Sequence, residues 1–92
     1  MKFRKKPVVI EAWDVRQLCR HAANSWENLP QPVIDAYERG GILFIGVAEG
    51  LDVLTLEGTM HGDPDDILIR GVKGEFYPCK PDIFEATYEK VE

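Results

Sequence analysis

An α+β fold follows from three features of this 92-residue sequence. One apolar stripe at helical spacing runs through the first third of the chain. All eight glycines fall between positions 40 and 74, where short β-branched runs alternate with turn residues. The composition, 45% hydrophobic and 29% charged, suits one small core and is too apolar for disorder. The expected architecture is a single domain: an N-terminal strand over 7–13, a two-helix hairpin over 14–40 and a β-rich half over 41–92. That last part reads as an antiparallel sheet or a small, partly curled barrel of short strands.

Each element has its own signal. Val8, Val9 and Ile10 mark the first strand, and Pro7 suits its first position, where a missing donor costs least. Asp14 reads as an N-cap, with Gln17 closing a capping box and Trp13 stapling to Leu18. Val15, Leu18, Cys19, Ala22, Ala23 and Trp26 then form one stripe of an amphipathic helix that ends near Asn28, ahead of Pro30. Pro32 can open a second helix whose face carries Val33, Ala36 and Tyr37, and Gly40-Gly41 stops it. Strands are expected over Ile42–Val47, Leu51–Leu56, Ile67–Arg70 and Glu75–Tyr77. Turns are expected at Glu49-Gly50 and across 70–74, and Glu57–Asp66 reads as a polar loop. A single helical turn over Pro81–Glu85 and a closing strand complete the chain.

The net charge is −5, unevenly spread. Lys2, Arg4, Lys5 and Lys6 open the chain; from Pro7 onward seven basic residues face sixteen acidic ones, or −9. An acidic body repels phosphate backbones, so general nucleic-acid binding is not expected. The longest apolar run, Ile42 to Ala48, is far too short for a membrane span. No apolar stretch follows the basic opening, so no secretory signal is expected. Two cysteines in that setting suggest reduced thiols in a cytoplasm.

Few residues advertise chemistry. Asp63, Asp65 and Asp66, close to His61, offer hard oxygen donors, but their spacing matches neither the calcium-loop nor a zinc pattern. They read as a solvated turn, and no metal or cofactor is expected. Cys79 lies in Tyr77-Pro78-Cys79-Lys80-Pro81, where Lys80 could favour the thiolate. Phe76 and Tyr77 must point to opposite faces of one strand. One belongs to the core; the other could offer a stacking surface beside Arg70 and Lys73. No nucleophile elbow, phosphate loop or dinucleotide fingerprint occurs.

The run Ile67–Glu89 contains Gly74-Glu75-Phe76-Tyr77-Pro78-Cys79-Lys80-Pro81-Asp82-Ile83-Phe84. With Thr55–Met60 and the opening Met1–Ala12, it resembles a family of small proteins from tailed bacteriophages and prophages. Those proteins carry Pro-Gly-Asp and then tryptophan before the Ile-Arg-Gly strand. Here Pro64 and Asp66 are kept, while Asp65 and Ile67 replace the glycine and the tryptophan. The resemblance implies an accessory protein in the cytoplasm of a bacterial host, and it brings neither an activity nor catalytic residues. The expected function is therefore non-enzymatic binding of a host protein, through Asp63, Asp65, Asp66, Arg70, Lys73, Tyr77, Cys79 and Lys80. Alternatives are a binder of a small intracellular molecule or nucleotide, in a cleft between the 57–66 loop and the 70–77 hairpin, and a structural homodimer joined by edge strands. A thiol or metal enzyme is the remaining alternative.

Overall fold

The computed structural model describes residues 1–91. The element order is β1 (Glu11–Asp14), α1 (Val15–Asn24), a 3-10 turn (Trp26–Asn28), α2 (Gln31–Glu38), β2 (Ile42–Gly46), β3 (Gly50–Thr55), β4 (Gly58–Gly62), β5 (Ile67–Arg70), β6 (Phe76–Cys79) and α3 (Pro81–Thr87). Six strands form two antiparallel three-stranded sheets, ordered β1-β5-β6 and β2-β3-β4. The fold is α+β, as expected, and the two sheets do not close into a barrel.

The core follows the period-2 and period-3.6 rules. Val15, Leu18 and Cys19 of α1 and Val33 and Ala36 of α2 are buried. They meet Ile42, Leu51 and Val53 from one sheet and Leu68 and Phe76 from the other. Leu68 and Ile69 are consecutive strand residues, yet both are fully buried. The first sheet is therefore covered on both faces, unlike a sheet with one wet side. Leu68 faces the main core; Ile69, paired with Ala12 and Tyr77, lies on the opposite face.

The sheets meet where β4 passes β6. A Cβ on Gly62 would stand 3.2 Å from Cβ of Pro78 and 3.4 Å from Cδ1 of Leu51. Gly50 is tighter still. Its φ is +93°, and a side chain there would run into the carbonyl oxygen of Gly62. Only glycine takes both that conformation and that approach.

Several elements differ from expectation. The first strand begins at Glu11, not Pro7, because its partner β5 ends at Arg70. Asp14 occupies the N-cap position but makes no side-chain cap, so the Asp14/Gln17 box is not formed. The first helical N–H groups are instead taken by distant carbonyls: Val15 N–H donates to Asp66 C=O (3.0 Å) and Arg16 N–H to Pro64 C=O (3.1 Å). Helix α1 stops at Asn24, which leaves Trp26 in the 3-10 turn and half exposed. The segment read as a polar loop contains β4, which pairs fully with β3 from Leu51–Gly62 to Thr55–Gly58. The C-terminal turn is a two-turn helix to Thr87, and no closing strand follows among the described residues. No helix in the described residues is long and apolar enough to cross a membrane.

Candidate functional site

The β4–β5 connection draws its polar residues into one cluster. Asp66 is 3% exposed, and its carboxylate accepts the Asp63 backbone N–H at 2.9 Å. The Asp66 N–H donates back to the Asp63 carbonyl, also at 2.9 Å, so the turn is closed from both ends. Lys80, just after β6, reaches across with Nζ 3.1 Å from Asp66 Oδ1 and 3.0 Å from Asp63 Oδ2. His61 lies between two carboxylates, with Nδ1 2.7 Å from Asp52 Oδ1 and Nε2 3.2 Å from Asp63 Oδ1. Asp65 points the other way and pairs with Arg16 of α1 at 2.8 Å.

The electrostatics follow from these contacts. Hydrogen bonds that Lys80 donates to Asp63 and Asp66 hold its ammonium above its usual range. Lys80, through its hydrogen bond and its charge, pulls the Asp63 carboxyl down. The Asp52 hydrogen bond pushes His61 up. Each carboxylate thus meets a cation or a histidine of the same chain. The cluster is a self-neutralising clasp that locks the turn onto α1 and β6, and its aspartates are engaged internally. Among the described residues, no group of three or more His, Cys, Asp or Glu side chains is placed to hold a metal ion.

The other residues singled out by sequence fall elsewhere. Cys79 is half-buried, and its thiol is pushed up by burial first and then by Asp66 and Asp82. Lys80 turns to the carboxylates, so the expected thiolate assistance is not what the structure provides. Arg70 is paired with Glu11 at 2.8 Å. The backbone N–H of Lys73 donates to Glu75 Oε1 at 3.0 Å inside the 71–74 turn. Phe76 is the core member of the Phe76/Tyr77 pair and stacks on Trp13 with ring centroids 6.4 Å apart. Tyr77 is half-buried, with its hydroxyl 3.3 Å from that of Tyr88. That bond and burial raise its pKa to about 12. The eight residues therefore divide between the clasp (Asp63, Asp66, Lys80), an α1 contact (Asp65) and the β5–β6 hairpin.

Two features escaped the sequence reading. Trp26, Tyr37 and Phe44 form an aromatic trio with centroids 5.0–6.0 Å apart. Trp26 and Tyr37 keep 37% and 41% of their surface exposed. The second is the outer face of β2-β3-β4. Register places Leu43 beside Asp52 and His61, and Leu54 beside Thr59. Ile45 is the extra residue of a bulge between Phe44 and Gly46, where strict alternation lapses, and Leu54 lies diagonally from Leu43 across the strand pair. Leu43, Ile45 and Leu54 are each about half exposed. Nothing in the sequence signals this row, because Leu43 and Ile45 sit in a run that is apolar or glycine throughout and so shows no alternation.

No family model matches the chain, and no curated protein or solved structure matches it.

Proposed function

We propose that this protein is a non-enzymatic binding module whose contact face is the outer surface of β2-β3-β4. One observation carries the reading: Leu43 and Leu54 share one face of the sheet and, with Ile45 at the β2 bulge, form a row of half-exposed aliphatic side chains. Such rows mark interaction surfaces when they are rimmed by polar groups. Here the rim is acidic, with Asp52 on the same face and Glu49 and Glu57 exposed at the adjoining turns. The chain from Pro7 onward carries −9, which favours a protein partner presenting an apolar patch bordered by basic residues. The phage resemblance supplies the setting of that proposal, a host protein in the bacterial cytoplasm.

The test is a photo-crosslinking residue at position 43, with position 83 on α3 as a control, in cells of a bacterial host. A single host protein captured from position 43 and not from 83 is expected. Its purified form should then bind with an affinity that falls with salt and drops about tenfold or more in a Leu43→Ser, Leu54→Ser double variant. Equal capture from both positions, or unchanged affinity of the double variant, refutes the proposal.

A second reading, capture of a small intracellular ligand, has one observation in its favour. An open groove of about 410 Å³ lies between β1, α1 and α3, lined by Trp13, Gln17, His21 and Phe84 among others. Its size suits a small organic molecule. A ligand of the native state would raise the melting temperature across a panel of nucleotides and metabolites; no shift removes this reading.

A further inference from the structure

The strand signal at the start of the chain is longer than the strand it produces. Val8, Val9 and Ile10 are β-branched, yet the ladder begins only at Glu11, opposite Arg70. Beyond Arg70 the partner chain turns away: Gly71 N–H donates to Glu75 C=O within the β5–β6 connection. Val8 and Val9 are left 46% and 75% exposed. β1 is also an edge strand, with β5 on one side only.

Ladder parity decides which backbone groups face the open side. The bond from Val15 N–H to Asp66 C=O lies in register with the Glu11–Arg70 pairing. Antiparallel residues alternate between bonded and non-bonded pairs. Trp13 and Glu11 therefore turn their N–H and C=O groups toward β5. Ala12 and Asp14 turn their N–H groups outward. Residues 7–10 lie outside any strand; drawn out in the same alternation, they would turn Val8 and Ile10 outward and place Pro7, which has no N–H, on the inward side, leaving the row of donors unbroken. A groove runs beside Ala12 and Asp14, bordered by α1 and by Phe84 of α3, and residues 87–91 line the cavities next to Val8 and Val9. Asp14 itself is exposed, and its carboxylate makes no cap.

We propose that two copies of this chain pair antiparallel through the free edge of β1, with Ile10 facing Ile10 across a two-fold axis. The union makes one continuous six-stranded sheet. It is self-complementary, as a two-fold interface must be. In this register Lys6 stands opposite Asp14 of the partner subunit, twice by symmetry. Val8 meets Ala12 of the partner subunit, and Val9 meets the partner's Glu11. Moving the axis to Glu11 would set two like carboxylates face to face, which is destabilising. This inference does not depend on the outer face of β2-β3-β4.

The experiment is sedimentation equilibrium on the full chain from low micromolar to several hundred micromolar, at low salt. A species of twice the 10.4 kDa chain mass is expected. Ile10→Pro removes the outward donor on the axis without touching the intrachain ladder, and should give a monomer with an unchanged far-ultraviolet spectrum. Lys6→Asp and Asp14→Lys should each weaken the dimer roughly tenfold, and together restore it to within about threefold of the original. A monomeric parent chain across the whole range, a dimeric Ile10→Pro variant, or a doubly reversed variant no tighter than the single ones overturns the proposal.

Discussion

Replacing Asp66 by alanine should destabilise this protein more than any other change to its acidic turn. The buried carboxylate is the acceptor for the part-buried Asp63 N–H and for Lys80, and losing such a charged acceptor costs about 1–3 kcal/mol. The same turn presents the carbonyls of Pro64 and Asp66 to the first two N–H groups of α1. Loosening it removes a helix cap, worth about 1 kcal/mol. The expected loss is about 2–4 kcal/mol out of the roughly 5–14 kcal/mol that a chain of this length has. With a urea m-value of about 1–2 kcal/mol/M, the unfolding midpoint should fall by about 1–4 M. The melting temperature should fall by about 10–25 °C. Asp66→Asn is the informative companion, because its amide oxygen can still accept the Asp63 N–H; it should cost less than half as much. Urea titration of the three proteins, followed by far-ultraviolet circular dichroism, measures both numbers. An alanine variant within about 0.5 kcal/mol of the parent refutes the reasoning, as does an asparagine variant equal to the alanine one.

Two further outcomes follow from the same cluster. His61 has its pKa raised from 6.5 by Asp52, so its contribution to stability is complete below about pH 6.5 and is lost as pH rises through the folded-state value. Asp63 has its pKa lowered from 3.8 by Lys80, so its contribution is present above pH 3.8 and is lost as pH falls through its depressed value. Urea midpoints across this range should decline on both sides, and His61→Gln should flatten the alkaline decline; an unaltered profile would count against the His61 contacts. Cys79, with its thiol raised from 9.0 by burial and nearby carboxylates, should alkylate more slowly at pH 8 than an unstructured thiol and accelerate above pH 9. Buried Cys19 should react only on unfolding. Fast labelling of Cys79 at pH 7, read by mass spectrometry, would reverse this assignment and reopen thiol chemistry.

Local pattern made some elements legible and hid others. The stripe Val15, Leu18, Cys19 is buried as its spacing requires, and Pro32 does sit in the first turn of α2. Those signals are local, and burial reinforced them. β4 was invisible because Gly58-Thr59-Met60-His61-Gly62 has neither β-branched density nor alternation. Its identity comes from five register pairs with β3, an interaction outside any short window. The Asp14/Gln17 box failed for a related reason. The helix N–H groups found better acceptors some fifty positions away, at Pro64 and Asp66. Lys80 shows the same limit at the site: its sequence neighbour is Cys79, but its partners are Asp63 and Asp66. The outer aliphatic row is hidden because Ile42–Val47, expected as a strand, has no polar residue to mark which side faces out.

The long-range cap on α1 has a consequence for how the chain acquires its structure. A ten-residue helix is marginal by itself, and this one lacks the side-chain cap that would let it persist alone. Its first turn is completed only when residues 64–66 arrive, and that turn is clasped only when Lys80 follows. The N-terminal third therefore cannot settle during synthesis while the C-terminal third is still unmade. Folding must wait for nearly the whole chain and then join its distant parts in one step, which raises contact order and slows the reaction relative to a helical hairpin of similar size. A fragment ending before β5 should be largely unstructured despite containing every residue of both early helices.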